Sequence, residues 1–242
     1  MARYIQDPKT IFPDISADYR TIFGDDLVSI ILYGSAVGHG FRPGSSDINF
    51  MVVLTENGIG RIDDAFGVVK KWRKKGVALP LFLTEDYIKS SLDVFPIEYL
   101  SFQQNHVQVF GKEILKDLRF APEFIRLQCE REIKGKLLLL REAFIESGGK
   151  GKALKRVIQE ALPALIAIFE ALLHLKEIPM PGNRREIVRV AAGAFEVDSG
   201  IFEGLLDIRE GNSDRRDEEV VGLFKGCLKE MRKLSKKIDS FG

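Results

Sequence analysis

Hydrophobic residues in the first half of the chain come in short continuous runs, whereas those in the second half recur every three or four positions. The runs at Leu27 to Tyr33, Ile48 to Leu54, Val77 to Leu83 and Ile97 to Phe110 predict strands, the last broken by a turn near Gln104 and Asn105. Between the second and third runs, Ile62, Phe66, Val69 and Trp72 follow helical spacing until Gly76. After residue 118 the period is helical throughout. One amphipathic segment is marked by Ile133, Leu137, Leu140 and Phe144, and a second by Leu154, Ile158, Ala161, Leu165, Phe169, Leu172 and Leu175. A third runs through Val220, Phe224, Cys227, Met231, Leu234 and Ile238, and shorter helices are predicted over 184–195 and 198–209. The pattern predicts an α/β (α+β) domain with a mixed sheet over residues 1–118, then an all-α helical bundle over 119–242.

Composition narrows the class. The chain has 242 residues, 45% of them hydrophobic, enough for a large core. Its 36 basic and 35 acidic residues leave a formal charge of +1, so no net field favours nucleic acid or a membrane surface. Two cysteines, Cys129 and Cys227, both in helical segments, fit reduced core thiols and a cytoplasmic protein. The start, MARYIQDPKT, lacks the apolar stretch of a signal peptide, and the greasiest run, ALPALIAIFEALLHL, is interrupted by Pro163, Glu170 and His174, so no membrane span is expected.

The chemistry concentrates in one stretch. The run LVSIILY ends on Gly34-Ser35, and after a Gly/Pro/Ser-rich loop a second run opens as Asp47-Ile48-Asn49. A glycine at the end of a strand lets an anion approach the backbone, while the following amides and hydroxyl donate to phosphate oxygens. A strand alternates its faces, so Asp47 and Asn49 project to one side, roughly 7 Å apart at the backbone. Oxygen ligands so placed suit a hard divalent cation such as Mg²⁺.

The stretch LYGSAVGHGFRPGSSDINFMVVL resembles the signature of the DNA polymerase beta-like nucleotidyltransferase superfamily, in which Gly-Ser is followed about a dozen residues later by Asp-x-Asp on the neighbouring strand. The helical second half makes the chain similar to the bacterial aminoglycoside nucleotidyltransferases. The resemblance implies nucleotide binding by Gly34, Ser35, Arg42 and Ser46, with Mg²⁺ and catalysis at Asp47 and Asn49. It implies transfer of a nucleoside monophosphate, AMP from ATP, to a hydroxyl acceptor, with the helical domain forming the acceptor wall. A third carboxylate belongs to the pattern. The third strand carries Pro80 and no acid, which leaves Glu98, expected on a strand, or Glu85 at the start of a helix, and Glu98 is preferred as catalytic and metal-binding residue.

One position departs from the signature. Asn49 stands where the family has a carboxylate, and losing one negative charge beside a divalent ion weakens its binding substantially. A second reading follows: a pseudoenzyme that keeps the fold and serves as a nucleotide-binding or antitoxin-like interaction module. Elsewhere, His39 reads as a loop residue, and His106 and His174 as structural, since none has zinc-ligand neighbours. KKWRKK at 70–75 reads as basic residues at a helix C-terminus, where the dipole favours them. The acceptor and the oligomeric state have no motif.

Overall fold

The computed structural model describes residues 5–37, 41–44 and 46–240. Two compact units are present, one of residues 1–92 and 99–119, the other of residues 93–98 and 120–242.

The first unit is built on a four-stranded mixed sheet in the order β3-β2-β1-β4, with β1 Leu27–Tyr33, β2 Asn49–Leu54, β3 Leu81–Thr84 and β4 His106–Gly111. β1 pairs antiparallel with both β2 and β4, and β2 pairs parallel with β3. The crossover between β2 and β3 carries a single turn, α2 Glu56–Ile59, and α3 Phe66–Arg73, as a parallel connection requires. β1 has the bounds its apolar run predicts. The third strand is shorter than expected, because Pro80 brings no amide to a ladder; upstream of it only Val77 bridges Ile48.

Alternation sorts the strands. Ile30, Leu32, Ile48, Phe50, Val52 and Leu54 share one core with Ile15, Tyr19 and Phe23 of α1 Phe12–Phe23 and with Trp72 of α3. Trp72 is buried, and its indole N–H donates to Asp18 at 2.8 Å, so the one polar atom of the ring is satisfied. Asp26, just before β1, accepts from Thr55 (2.5 Å), Asn57 (2.8 Å) and Arg61 (3.0 Å), tying the end of β2 to the start of β1.

The expected fourth strand is overturned in its first half. Residues Pro96–Gln104 form α5, and only His106–Gly111 form β4. Proline fits the first turn of a helix, where its missing N–H has no partner to lose, and Ile97, Tyr99 and Leu100 are buried along it. Glu98 therefore lies on a helix, within the second unit, and not on a strand.

The rest of the second unit is helical: α6 Pro122–Glu146, α7 Gly151–Leu175, α8 Arg184–Ala194, α9 Ser199–Glu210 and α10 Asp217–Asp239. The helical periods predicted from the sequence are realised. α7 is long and apolar enough to cross a membrane by length and composition, but its stripe of Leu154, Ile158, Leu162, Leu165, Phe169 and Leu172 is buried, as a bundle's core helix requires. Asp217 of α10 accepts from the amide of Gly151 at 3.0 Å and so caps α7, and a Cβ on Gly151 would collide with that carboxylate at 2.3 Å. Pro163 lies inside α7 and leaves the Gln159 carbonyl without its helical donor; Arg209 of α9 donates to that oxygen instead. Cys129 and Cys227 are free and buried, and burial pushes both thiols up to about 12.

Candidate functional site

β1 ends at Tyr33 and β2 begins at Asn49, and these two residues are cross-strand partners. Pairing alone therefore brings Gly34-Ser35 beside the start of β2. Gly34 adopts φ +79°, a left-handed conformation that glycine enters without strain, and opens a short turn over Gly34–Val37. A Cβ at Gly34 would come 3.4 Å from Nδ2 of Asn49, so the amide side chain of Asn49 lies against the turn. Ile48 is buried in the core shared with α1, and alternation puts Asp47 and Asn49 on the opposite face. Asp47 is exposed and Asn49 half-buried.

The loop before Asp47 is closed on itself. The amide of Arg42 donates to Ser46 Oγ at 3.0 Å, and the amide of Ser46 donates to the Arg42 carbonyl at 2.8 Å. Gly44, at φ +80°, makes the reversal. Arg42 and Ser46 are thereby set next to Asp47 in the chain, and the Arg42 side chain is exposed. His39 lies outside the described residues.

Directly opposite partners in an antiparallel pair share a face, so Asn49, Tyr33 and His106 form one row across β2, β1 and β4. Tyr33 stacks edge-on against Phe102 of α5 with ring centroids 4.7 Å apart, and burial raises its phenol pKa. His106 Nδ1 lies 3.0 Å from the Gln103 carbonyl, and its Nε2 lies 3.7 Å from Glu113. Lone residues without a motif, His106 and Glu113 gave no functional signal in the sequence; only strand pairing reveals that His106 is in register with Asn49.

Of the two candidates for a third acid, one lies at the opposite end of β2 and the other belongs to the second unit. Glu85 begins α4 Glu85–Ser90, directly after Thr84, which pairs with Leu54 at the far end of β2 from Asn49. Five residues of strand separate those ends, about 16 Å. Glu85 is held there by Lys112 at 2.7 Å. Glu98 belongs to the helical unit, where Gln128 Nε2 donates to its carboxylate at 2.7 Å while Gln128 Oε1 accepts from the amide of Ile97 at 2.8 Å.

Among the described residues no cluster of three or more His, Cys, Asp or Glu is arranged to hold a metal ion. The donors at the strand ends are one carboxylate, Asp47, and one amide oxygen, from Asn49. That set fits a single Mg²⁺ arriving on phosphate oxygens, an ion that takes one or two protein carboxylates and keeps the rest of its shell. It does not fit a pair of ions bridged by carboxylates.

The chain thus combines a mixed sheet, with Gly-Ser at the end of one strand and Asp-x-Asn opening its antiparallel neighbour, with an all-helical unit. The chain is similar to the crystal structure of spectinomycin adenyltransferase AAD(9) from Enterococcus faecialis with ATP and spectinomycin, at a TM-score of 0.52 and 11% identity over 92% of this chain and 99% of that one. At that identity the likeness is one of fold. No protein-family model and no curated protein matches the sequence.

Proposed function

We propose that this chain binds a nucleoside triphosphate, ATP foremost, at the Gly34-Ser35 turn and transfers its nucleoside monophosphate to a hydroxyl acceptor with release of pyrophosphate. The observation that carries the reading is the apposition of a positive-φ glycine directly after β1 with Asn49 on β2, two residues after Asp47. The fold supports it, since a structure similar to this chain is an adenyltransferase crystallised with ATP.

Each residue then has a task. Gly34 leaves room for phosphate oxygens at the backbone, and the amide and hydroxyl of Ser35 donate to them. Arg42 and Ser46, braced by their mutual hydrogen bonds, add a cation and a donor beside the phosphates. Asp47 and the Asn49 amide oxygen are the groups to hold Mg²⁺, which supplies charge neutralisation at the phosphates when bound. In the transfer, the acceptor oxygen bonds to the α-phosphorus, the bond to the bridging oxygen breaks, and pyrophosphate leaves. Glu98 is the carboxylate assigned to take the acceptor's proton; Gln128 holds it through one oxygen. The two buried free thiols suit a reducing cytoplasm.

Asn49 favours a second reading, a protein that binds nucleotide and does not turn it over, acting as an interaction module. Incubation with α-labelled ATP, Mg²⁺ and a panel of aminocyclitol and aminoglycoside acceptors, read for labelled product and pyrophosphate and paired with ATP calorimetry, separates the two. Product supports transfer, and ATP binding without pyrophosphate release supports the module. Loss of ATP binding removes both.

A further inference from the structure

The sheet unit carries a concavity of ≈ 770 Å³ between α3 and the segment that leads into the edge strand β3. Phe66 is 74% exposed there and Leu79 66%, and Leu81 is also exposed. Single exposed apolar residues are ordinary on a protein surface; here three lie around one groove. Its rim is cationic. Lys70, Arg73 and Lys74 line the groove, and no ion pair among the described residues holds any of the three. Their neighbours differ: Lys71 is paired with Asp18 at 2.6 Å, and Lys75 lies over the Trp72 ring at 4.5 Å. β3, as the edge of the sheet, also turns alternate backbone donors and acceptors outward.

We propose that this groove binds an acidic, apolar peptide segment of a partner protein, which lays apolar side chains against Phe66, Leu79 and Leu81 and its carboxylates on Lys70, Arg73 and Lys74. Charge decides the occupant. A second copy meeting the same patch across a two-fold axis would bring six cations together, which is unfavourable. A bilayer covers apolar groups that protrude, and a concavity beside a strand edge needs an inserted chain. An acidic and apolar segment satisfies the floor, the rim and the open edge together.

The site is independent of the nucleotide turn, so its test does not rest on the proposed transfer. The probe is a short fluorescein-labelled peptide alternating leucine or phenylalanine with glutamate, titrated with the full chain and read by fluorescence anisotropy. Saturable binding is expected, weakened about tenfold or more by Phe66→Ser with Leu79→Ser, and likewise by Lys70→Glu with Arg73→Glu and Lys74→Glu. The same peptide with lysine for glutamate should bind the charge-reversed protein better than the parent, an exchange that no general loss of structure produces. Unchanged melting temperatures and ATP affinities in the variants separate the groove from folding and from the nucleotide site. Absence of saturable binding, equal binding by all variants, association only with anionic phospholipid vesicles, or a dimer abolished by the same substitutions would each overturn the proposal.

Discussion

The side-chain amide of Asn49 lies against Gly34, close enough that a Cβ added to the glycine would come 3.4 Å from Nδ2. Two constraints meet at this contact: a backbone at φ +79° and a neutral group beside the proposed phosphate position.

Gly34→Ala is therefore expected to destabilise the sheet unit by about 1–3 kcal/mol through backbone strain. It should also weaken ATP binding, since the methyl group occupies the approach to the turn. Urea unfolding and ATP calorimetry on the same sample measure the two effects. Unaltered ATP affinity would separate Gly34 from the nucleotide.

The missing charge makes a paired prediction. Asn49→Asp should raise the Mg²⁺ or Mn²⁺ dependence of ATP affinity and any basal transfer rate, and Asp47→Asn should lower both. Metal titrations in the presence of ATP check this. Equal metal affinity in the parent and both variants would show that the pair is not a metal site.

Asp26 sets a pH dependence. Hydrogen bonds from Thr55, Arg61 and Asn57 hold its carboxyl below the usual value of 3.8. A carboxyl whose pKa is lower in the folded state stabilises the fold fully above the unfolded value, and that stabilisation is lost as pH falls through the folded value. Asp26→Asn should thus lower the melting temperature at neutral pH, with the difference shrinking below about pH 4. Thermal melts of both proteins from pH 7 downward supply the comparison. A difference independent of pH would assign the effect to shape alone.

Trp72 anchors α3 to the core, and Trp72→Ala should cost about 3–5 kcal/mol. Trp72→Phe keeps part of the packing and removes the bond to Asp18 together with some ring volume, so a smaller loss of about 1–3 kcal/mol is expected. Denaturant midpoints of the two variants give the ratio. Equal losses would mean that the hydrogen bond, and not burial, carries the residue's contribution.

Much of this architecture was legible because period and burial agree. β1 and β2 are apolar runs bounded by turn residues, and the bundle helices keep one apolar stripe over many turns. The apposition of Gly34 with Asn49 followed from the strand ends alone. The segment from Ile97 to Gln104 misled because a short apolar run buried on several sides has no decisive period. Glu98 changed element with it. β3 was overextended because Val77 and Ala78 lie beside β2 without forming a regular ladder across Pro80. The register of His106 with Tyr33 depends on pairing between residues far apart in sequence, which no local pattern encodes.

The proline in α7 turns a backbone oxygen into a receptor for a side chain of another helix, since Arg209 occupies the vacancy that Pro163 opens at Gln159. The two positions are thus linked in the fold by that single carbonyl. Replacing the proline with an amide-bearing residue restores a helical donor to that oxygen, whereas losing the arginine alone leaves the oxygen without either partner.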